Sequence, residues 1–330
     1  MRITRIALTS DLHRLPSVFS PQTYFPGILE HLPLSEARRW YFDAREEHDR
    51  AAAVMTNILA SRGPFDFAVC LGDITSFEDR GVAAHPSCIK LLQETREQLH
   101  QYGKTVLVVP GNHDLGTPSP ILGSGLSAES LEAFARVFGG LWWIREVQGV
   151  ALIGLSSSLL EQASSHPAVL TLAGAQEEFL RHVLGNLGTS PWILFVHDPV
   201  SLRYVSDLIA PHVRNLCAVV HGGYHHPILG RWPRIVGVAS TPIRVLLPKE
   251  LRVLTRVFGK SIFCPALGPA WSPGYRAVIL QIARSNNRIR IDVEHIDRHD
   301  LAIKELPAAS IVKSTIWRWK AGKFLRRRAT

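Results

Sequence analysis

The chain has 330 residues, 46% of them apolar and 20% charged, with a formal net charge of +9. That balance excludes a disordered chain and supplies enough apolar material for one large α/β domain or two smaller ones. The four cysteines, Cys70, Cys88, Cys217 and Cys264, show no paired spacing, which excludes a disulfide scaffold and fits buried, reduced thiols in a reducing cytoplasm.

The opening residues, MRITRIALTSD, alternate as a strand and run directly into Asp11-Leu12-His13. A signal peptide is not expected there, because its cleavage would take a candidate metal ligand with it. Residues Arg14 to Tyr41 follow, rich in Pro and large apolar groups such as Phe19, Tyr24, Phe25, Leu29 and Trp40. Long connections beside strand ends are where substrate-binding elements are built, so this insertion is a candidate substrate cap; the alternative is a loop that only packs on the core. A helix is predicted from Asp43, as its cap, to Ser61. FAVCL then delivers Gly72-Asp73, Pro86 to Tyr102 reads as a helix, and TVLVVP delivers Gly111-Asn112-His113-Asp114.

Ser127 to Phe138 is a further predicted helix, with Ser127 and Ser130 as candidate caps. WWIREV and VALIGLSS predict a hairpin about Gly149, Ala175 to Leu187 a helix, and PWILFV a strand ending on His197. CAVV delivers His221-Gly222-Gly223-Tyr224-His225-His226. From Ile235 to Ile296 the pattern is mostly short strands, RIVGVA, SIFCPAL, YRAVILQIA and RIRIDVEHI, the last two joined at Ser285-Asn286-Asn287. Alternating strands and helices followed by strands predict an α/β fold of two mixed β-sheets packed face to face with flanking helices, a four-layer α-β-β-α sandwich. The expected organisation is a single domain over residues 1–300, with its apolar insertion at about 14–41, and a tail over 301–330. No apolar run approaches the length that spans a bilayer.

Five predicted strands thus run out on residues that can ligate a metal. Carboxylate, imidazole and amide groups gathered at strand ends suit hard or borderline divalent ions rather than a thiolate site. The order Asp-x-His, Gly-Asp, Gly-Asn-His-Asp, a lone His and Gly-x-x-His resembles the calcineurin-like metallophosphoesterase superfamily, from the N-terminus to about Pro227. Gly111-Asn112-His113-Asp114 is the most specific piece. The resemblance implies a phosphoesterase that hydrolyses a P–O bond with metal-bound hydroxide, using two divalent ions (manganese, iron, zinc or cobalt) held roughly 3.5–4 Å apart. It implies one ion on Asp11, His13, Asp73 and His225 and the other on Asp73, Asn112 and His197, with Asp73 bridging. It also implies that His113 stabilises or protonates the leaving oxygen while Asp114 orients its imidazole.

Gly223 departs from the family pattern, occupying the place of a metal-binding His. His221 and His226 flank it and are candidate substitute ligands; a water completing the shell, or a weak second site, are the other readings. Arg14, next to His13, is a candidate clamp for a substrate phosphate, or else simply solvated.

The last 18 residues, KSTIWRWKAGKFLRRRAT, carry seven basic and no acidic groups. Trp317, Ala321, Phe324 and Leu325 fall at helical spacing, which suggests an amphipathic segment on a membrane surface; nucleic-acid binding and a disordered solubilising end compete with it. Within the superfamily, this amphiphilic character looks most like the lipid A branch, the UDP-2,3-diacylglucosamine pyrophosphohydrolases. That resemblance implies a nucleotide–lipid pyrophosphate substrate and a cytoplasmic protein, peripheral at the inner face of the membrane. Alternatives are a nuclease or cyclic-nucleotide phosphodiesterase, and a non-catalytic interaction scaffold on the same fold.

Overall fold

A computed structural model describes residues 2–17, 34–76, 85–115, 126–161, 167–223, 249–265, 276–285, 288–297, 311–320 and 323–328. Strand β1 (Ile3–Thr9) leads to helix α1 (Leu34–Arg62), β2 (Phe65–Cys70), α2 (Pro86–His100), β3 (Gly103–Val108) and a single helical turn, α3 (Asn112–Leu115). Helix α4 (Ala128–Phe138) precedes the hairpin of β4 (Trp143–Val147) and β5 (Val150–Gly154). Next come α5 (Ser157–Glu161), α6 (Pro167–Leu187), β6 (Trp192–Val196), α7 (Ser206–Ile209) and β7 (Leu216–His221). The remainder is α8 (Lys249–Phe258), β8 (Ser261–Phe263), β9 (Arg276–Ser285), β10 (Arg288–Asp297), β11 (Ile311–Lys320) and β12 (Lys323–Arg328).

The strands form two mixed sheets. One runs β12-β11-β10-β9-β1-β2-β3 and the other β4-β5-β6-β7-β8. Strands β1, β2 and β3 are mutually parallel, as are β5 to β8. Alternation sends successive side chains of each central strand to different layers. Ile6 and Leu8 enter the core between the sheets, with Phe195, Val220 and Leu280, while Ala7 joins Met55, Leu59, Leu92 and Phe134 beneath the helices. Trp192, Leu194 and Val196 face a third cluster with Leu180, Leu184 and Val257. The four-layer α/β sandwich follows from these three cores, and burial on both faces explains why the strands read as unbroken apolar runs.

Local chemistry accounts for several element ends. Ser127 caps α4 by accepting from the Ser130 amide at 3.1 Å, and Gly139 closes that helix at φ 85°. The β4–β5 turn uses Gln148 and Gly149 at φ 53° and 71°, the left-handed pair that a two-residue hairpin demands.

Four sequence readings are corrected. Helix α1 begins at Leu34, so Asp43 lies within it rather than capping it; ion pairs one turn apart, Arg45–Asp49 and Arg50–Glu46, support this charged helix. Helix α6 begins at Pro167 rather than near Ala175. Helix α8 interrupts the stretch read as strands, and RIVGVA lies outside the described residues. The basic tail is strand rather than helix: Trp317 and Trp319 stand in register with Ile291 and Ile289 of β10, and with Arg326 and Phe324 of β12. Its β-branched and aromatic residues suit a sheet, and Gly322 disfavours a helix running through it. No helix among the described residues is long and apolar enough to cross a membrane.

Phe195 is fully buried between the sheets, its ring 5.4 Å from that of Trp143. Phe195→Ala should cost about 3–5 kcal/mol, read as a lower urea midpoint with an unchanged far-UV spectrum. An unshifted midpoint would remove this residue from the core that joins the sheets.

Candidate metal centre

The parallel strands of both sheets point their C-terminal ends to one side, where ligands of open α/β sheets gather. The backbone there is unusual. Asp11, His13 and Asp73 have φ values of 54°, 46° and 51°, a left-handed region that costs a non-glycine residue about 1–3 kcal/mol. The two loops hold each other in this shape. The Asp11 amide donates to Gly72 O at 2.9 Å, His13 N to Asp73 O at 2.9 Å and Arg14 N to Ile74 O at 2.8 Å. A Cβ on Gly72 would collide with the backbone of Gly111, and one on Gly111 would collide with the Asp73 carboxylate. Both glycines are therefore needed for close packing around Asp73.

Each carboxylate has one oxygen tied to the scaffold. Asp73 Oδ1 accepts from the His113 amide at 3.0 Å. Asp11 Oδ2 accepts from the Ser10 hydroxyl and, at 3.2 Å, from the Gly223 amide. The second oxygen of each faces the cluster. Asp73 Oδ2 lies 3.1 Å from His197 Nε2, 3.9 Å from His13 Nε2 and 4.0 Å from His113 Nε2, and Asp11 Oδ1 lies 3.9 Å from His13 Nε2. Two groups have ligand atoms within 4.8 Å of one another: His13, Asp73 and His113, and Asp11, Asp73 and His197. Asp73 belongs to both, as a bridging ligand must.

The donor set fits a cation. His197 Nδ1 lies 2.7 Å from the Leu71 carbonyl, which only accepts, so Nδ1 carries a proton and Nε2 is turned toward Asp73 Oδ2. Both atoms are buried, and among the described residues neither has an aligned hydrogen-bond partner. Nε2 and Oδ2, buried and 3.1 Å apart, call for a positive charge between or beside them, a proton or a cation. The electrostatics agree. Burial would raise the Asp73 carboxyl, but His197, His113 and His13 hold it well below the carboxylate range. Burial would lower His197, yet Asp73 and Asp11 carry it up to about 10.

The other candidate residues divide. Asn112 opens α3 and is half-buried, and His113 stands edge-on to His13 with ring centroids 4.9 Å apart. Asp114 does not orient the His113 imidazole. Its Oδ1 accepts from the amides of Ile74 and Thr75 at 2.8 and 3.0 Å, and its Oδ2 from Gly111 at 3.0 Å; burial and the nearby Asp73 push its pKa up to about 7. It welds the β2 and β3 loops together.

Arg14 is no phosphate clamp, because its guanidinium is buried and committed elsewhere: to Asp49 at 2.9 Å, Thr95 at 2.9 Å, Gln98 at 3.2 Å and Glu94 at 3.7 Å. His221 is in neither ligand group. Its Nδ1 sits 3.2 Å from Gly222 O, its ring packs on Phe263, and burial drives its pKa down to about 4. His225 and His226 lie outside the described residues. Gly223 has φ 72°, and a Cβ there would stand 3.2 Å from His197 Nε2. Ser10 and the Leu71 carbonyl were not singled out from sequence; only the adjacency of Ser10 to Asp11 signals the first.

Mn²⁺ supplied at about 100 times its dissociation constant should stabilise the chain by about 2.7 kcal/mol, seen as a rise in Tm. Asp73→Asn should abolish that rise. Gly111→Ala, which alters no ligand, should diminish it by displacing the carboxylate; an unchanged rise in both would remove Asp73 from the binding site.

No curated protein matches the chain. Among solved structures, a single mutant of Vps29 from Entamoeba histolytica is similar at 12% identity and a TM-score of 0.33, covering 99% of this chain and 100% of that one. Vps29 from Chaetomium thermophilum is similar at 10% identity and a TM-score of 0.32, covering 99% and 98%. The profile of the calcineurin-like phosphoesterases matches residues 4–227, the span that carries every described member of the metal cluster, and the chain belongs to that family.

Proposed function

We propose that the protein is a metal-dependent phosphoesterase that hydrolyses a P–O bond. The observation that carries this reading is the Asp73 carboxylate, with one oxygen fixed by the His113 amide and the other shared by three imidazoles. A buried set of this kind serves no packing purpose and suits a cation, which would take the place of the proton between Asp73 and His197. Asp11, His13, Asp73 and His197 would hold divalent ions, with Asn112 adding a neutral amide and His225 an imidazole. Such ions, when bound, supply Lewis acidity to a phosphoryl group and lower the pKa of water.

The substrate we favour is amphiphilic, a nucleotide–lipid pyrophosphate such as UDP-2,3-diacylglucosamine met at the cytoplasmic face of the membrane. Its support is the aromatic and cationic make-up of the last 18 residues and the apolar composition of residues 14–41. Cations spaced among indoles suit an anionic interface whether the segment is helix or strand. A non-catalytic scaffold draws on one observation, Gly223, which meets the centre through its amide alone.

Metal-stripped protein resupplied with Mn²⁺ should cleave a generic phosphodiester, bis(p-nitrophenyl) phosphate, and UDP-2,3-diacylglucosamine. Asp73→Ala should lower both rates by more than the about 10–100-fold that losing an outer-shell partner costs. Cleavage of the generic ester alone would remove the lipid substrate and keep the enzyme. Inertness toward both would favour the scaffold.

A further inference from the structure

We infer that His48 is a positioning residue of the candidate metal centre, fixing through the Leu12 carbonyl the peptide plane from which the His13 side chain is presented. This rests on the metal-dependent reading above and extends it to a residue that is in neither ligand group.

Three observations support it. First, the peptide unit between Leu12 and His13 is held at both ends. Its N–H, that of His13, donates to Asp73 O at 2.9 Å. Its C=O, that of Leu12, lies 3.1 Å from His48 Nδ1 in a buried contact. A carbonyl only accepts, so Nδ1 carries the proton, and burial, which lowers the pKa of His48 from its ordinary value, favours the neutral ring. One end of the plane is thus tied to the loop after β2 and the other to helix α1. Second, this plane governs a strained conformation. Leu12 stands between Asp11 and His13, whose φ values are 54° and 46°. Rotating the one peptide unit by about half a turn would carry His13 to a negative φ that any residue adopts, and would break both hydrogen bonds. Without the His48 donor, one of the two restraints against that rotation is gone.

Third, the imidazole stands where packing alone would place an apolar group. His48, Ala52, Met55 and Leu59 recur at helical spacing along α1 and are all buried, His48 at 5% exposure. Ala52, Met55 and Leu59 belong to the core cluster that contains Leu12. Burying a polar ring at the end of this stripe costs desolvation, and the bond to Leu12 accounts for it. The next residue, Asp49, accepts from Arg14 Nε at 2.9 Å, so two consecutive residues of α1 hold the chain on either side of His13.

The test is calorimetric titration of the metal-stripped full-length chain with Mn²⁺, for the wild type, His48→Leu and His48→Asn, beside the urea midpoint of each without metal. His48→Leu fills the space and removes the donor, and should weaken Mn²⁺ affinity by about 10–100-fold, as losing an outer-shell partner does. His48→Asn offers an amide N–H near the place of Nδ1 and should recover most of that affinity. A side chain that served only packing predicts the reverse, equal affinities in all three with His48→Asn the least stable. The imidazole nitrogen spectrum of the metal-free wild type should show His48 as the Nδ1–H tautomer; the Nε2–H tautomer would overturn the inference however the variants fold. Wild-type affinity in His48→Leu would overturn it too and leave the metal-dependent reading standing. A wild-type chain that takes up no Mn²⁺ would overturn that reading and this assignment with it.

Discussion

The carboxylate of Asp73 is the constraint around which the candidate metal site is built. It is fully buried and anionic, held so by His197, His113 and His13 on one oxygen and by a backbone amide on the other. A buried charge is tolerable only with partners on every side, and the surrounding backbone is shaped to supply them. Gly72 and Gly111 have no side chains because the loops after β2 and β3 meet directly over this group. Asp73 itself and its neighbours Asp11 and His13 adopt left-handed conformations, held there by a ladder of amides that continues the β1–β2 pairing beyond the strand ends.

The roles of Arg14 and Asp114 show how the same chemistry serves the frame. Arg14 follows a ligand in sequence, yet it points away and clasps α1 and α2 through Asp49, Thr95 and Gln98. That clasp fixes the direction in which the β1 loop leaves the sheet, and with it the position of His13. Asp114 does the corresponding task on the opposite side by gathering three amides from two loops. Neither residue is in a ligand group, but the loops that carry Asp11, His13, Asp73 and His113 are braced by these two side chains.

Much of this was legible in the sequence because the central strands are buried on both faces. Unbroken apolar runs such as CAVV and WILFV mark such strands, and a polar residue directly after one, His221 or His197, marks a sheet end. Two sheets with helices outside followed from the same pattern, and the cap at Ser127 and the hairpin turn at Gly149 followed from local backbone chemistry. What stayed hidden depends on contacts between distant residues. The partners of Arg14 lie up to 84 positions away and two of the three amides bound by Asp114 about 40, and no local spacing reveals that these polar groups are already taken. The tail failed for another reason. Trp317, Arg318, Trp319 and Lys320 alternate as a strand does, while the apolar positions further along it also fit a helical stripe, and pairing with β10 decides between them.

Strand β1 lies between β2 and β9, with Leu8 beside Val69 on one side and Val278 on the other. The first two candidate ligands, Asp11 and His13, thus hang from a strand whose second neighbour is made only after most of the chain has been synthesised. At about 5–20 residues per second, the interval between completion of β2 and of β9 lasts roughly 11–43 s on a ribosome. During it β1 has one partner and an unpaired apolar edge, a state that invites pairing with other chains. The candidate metal site is complete only when the late strands arrive, so a shortened product lacking β9 would be an aggregation hazard rather than a merely weakened protein.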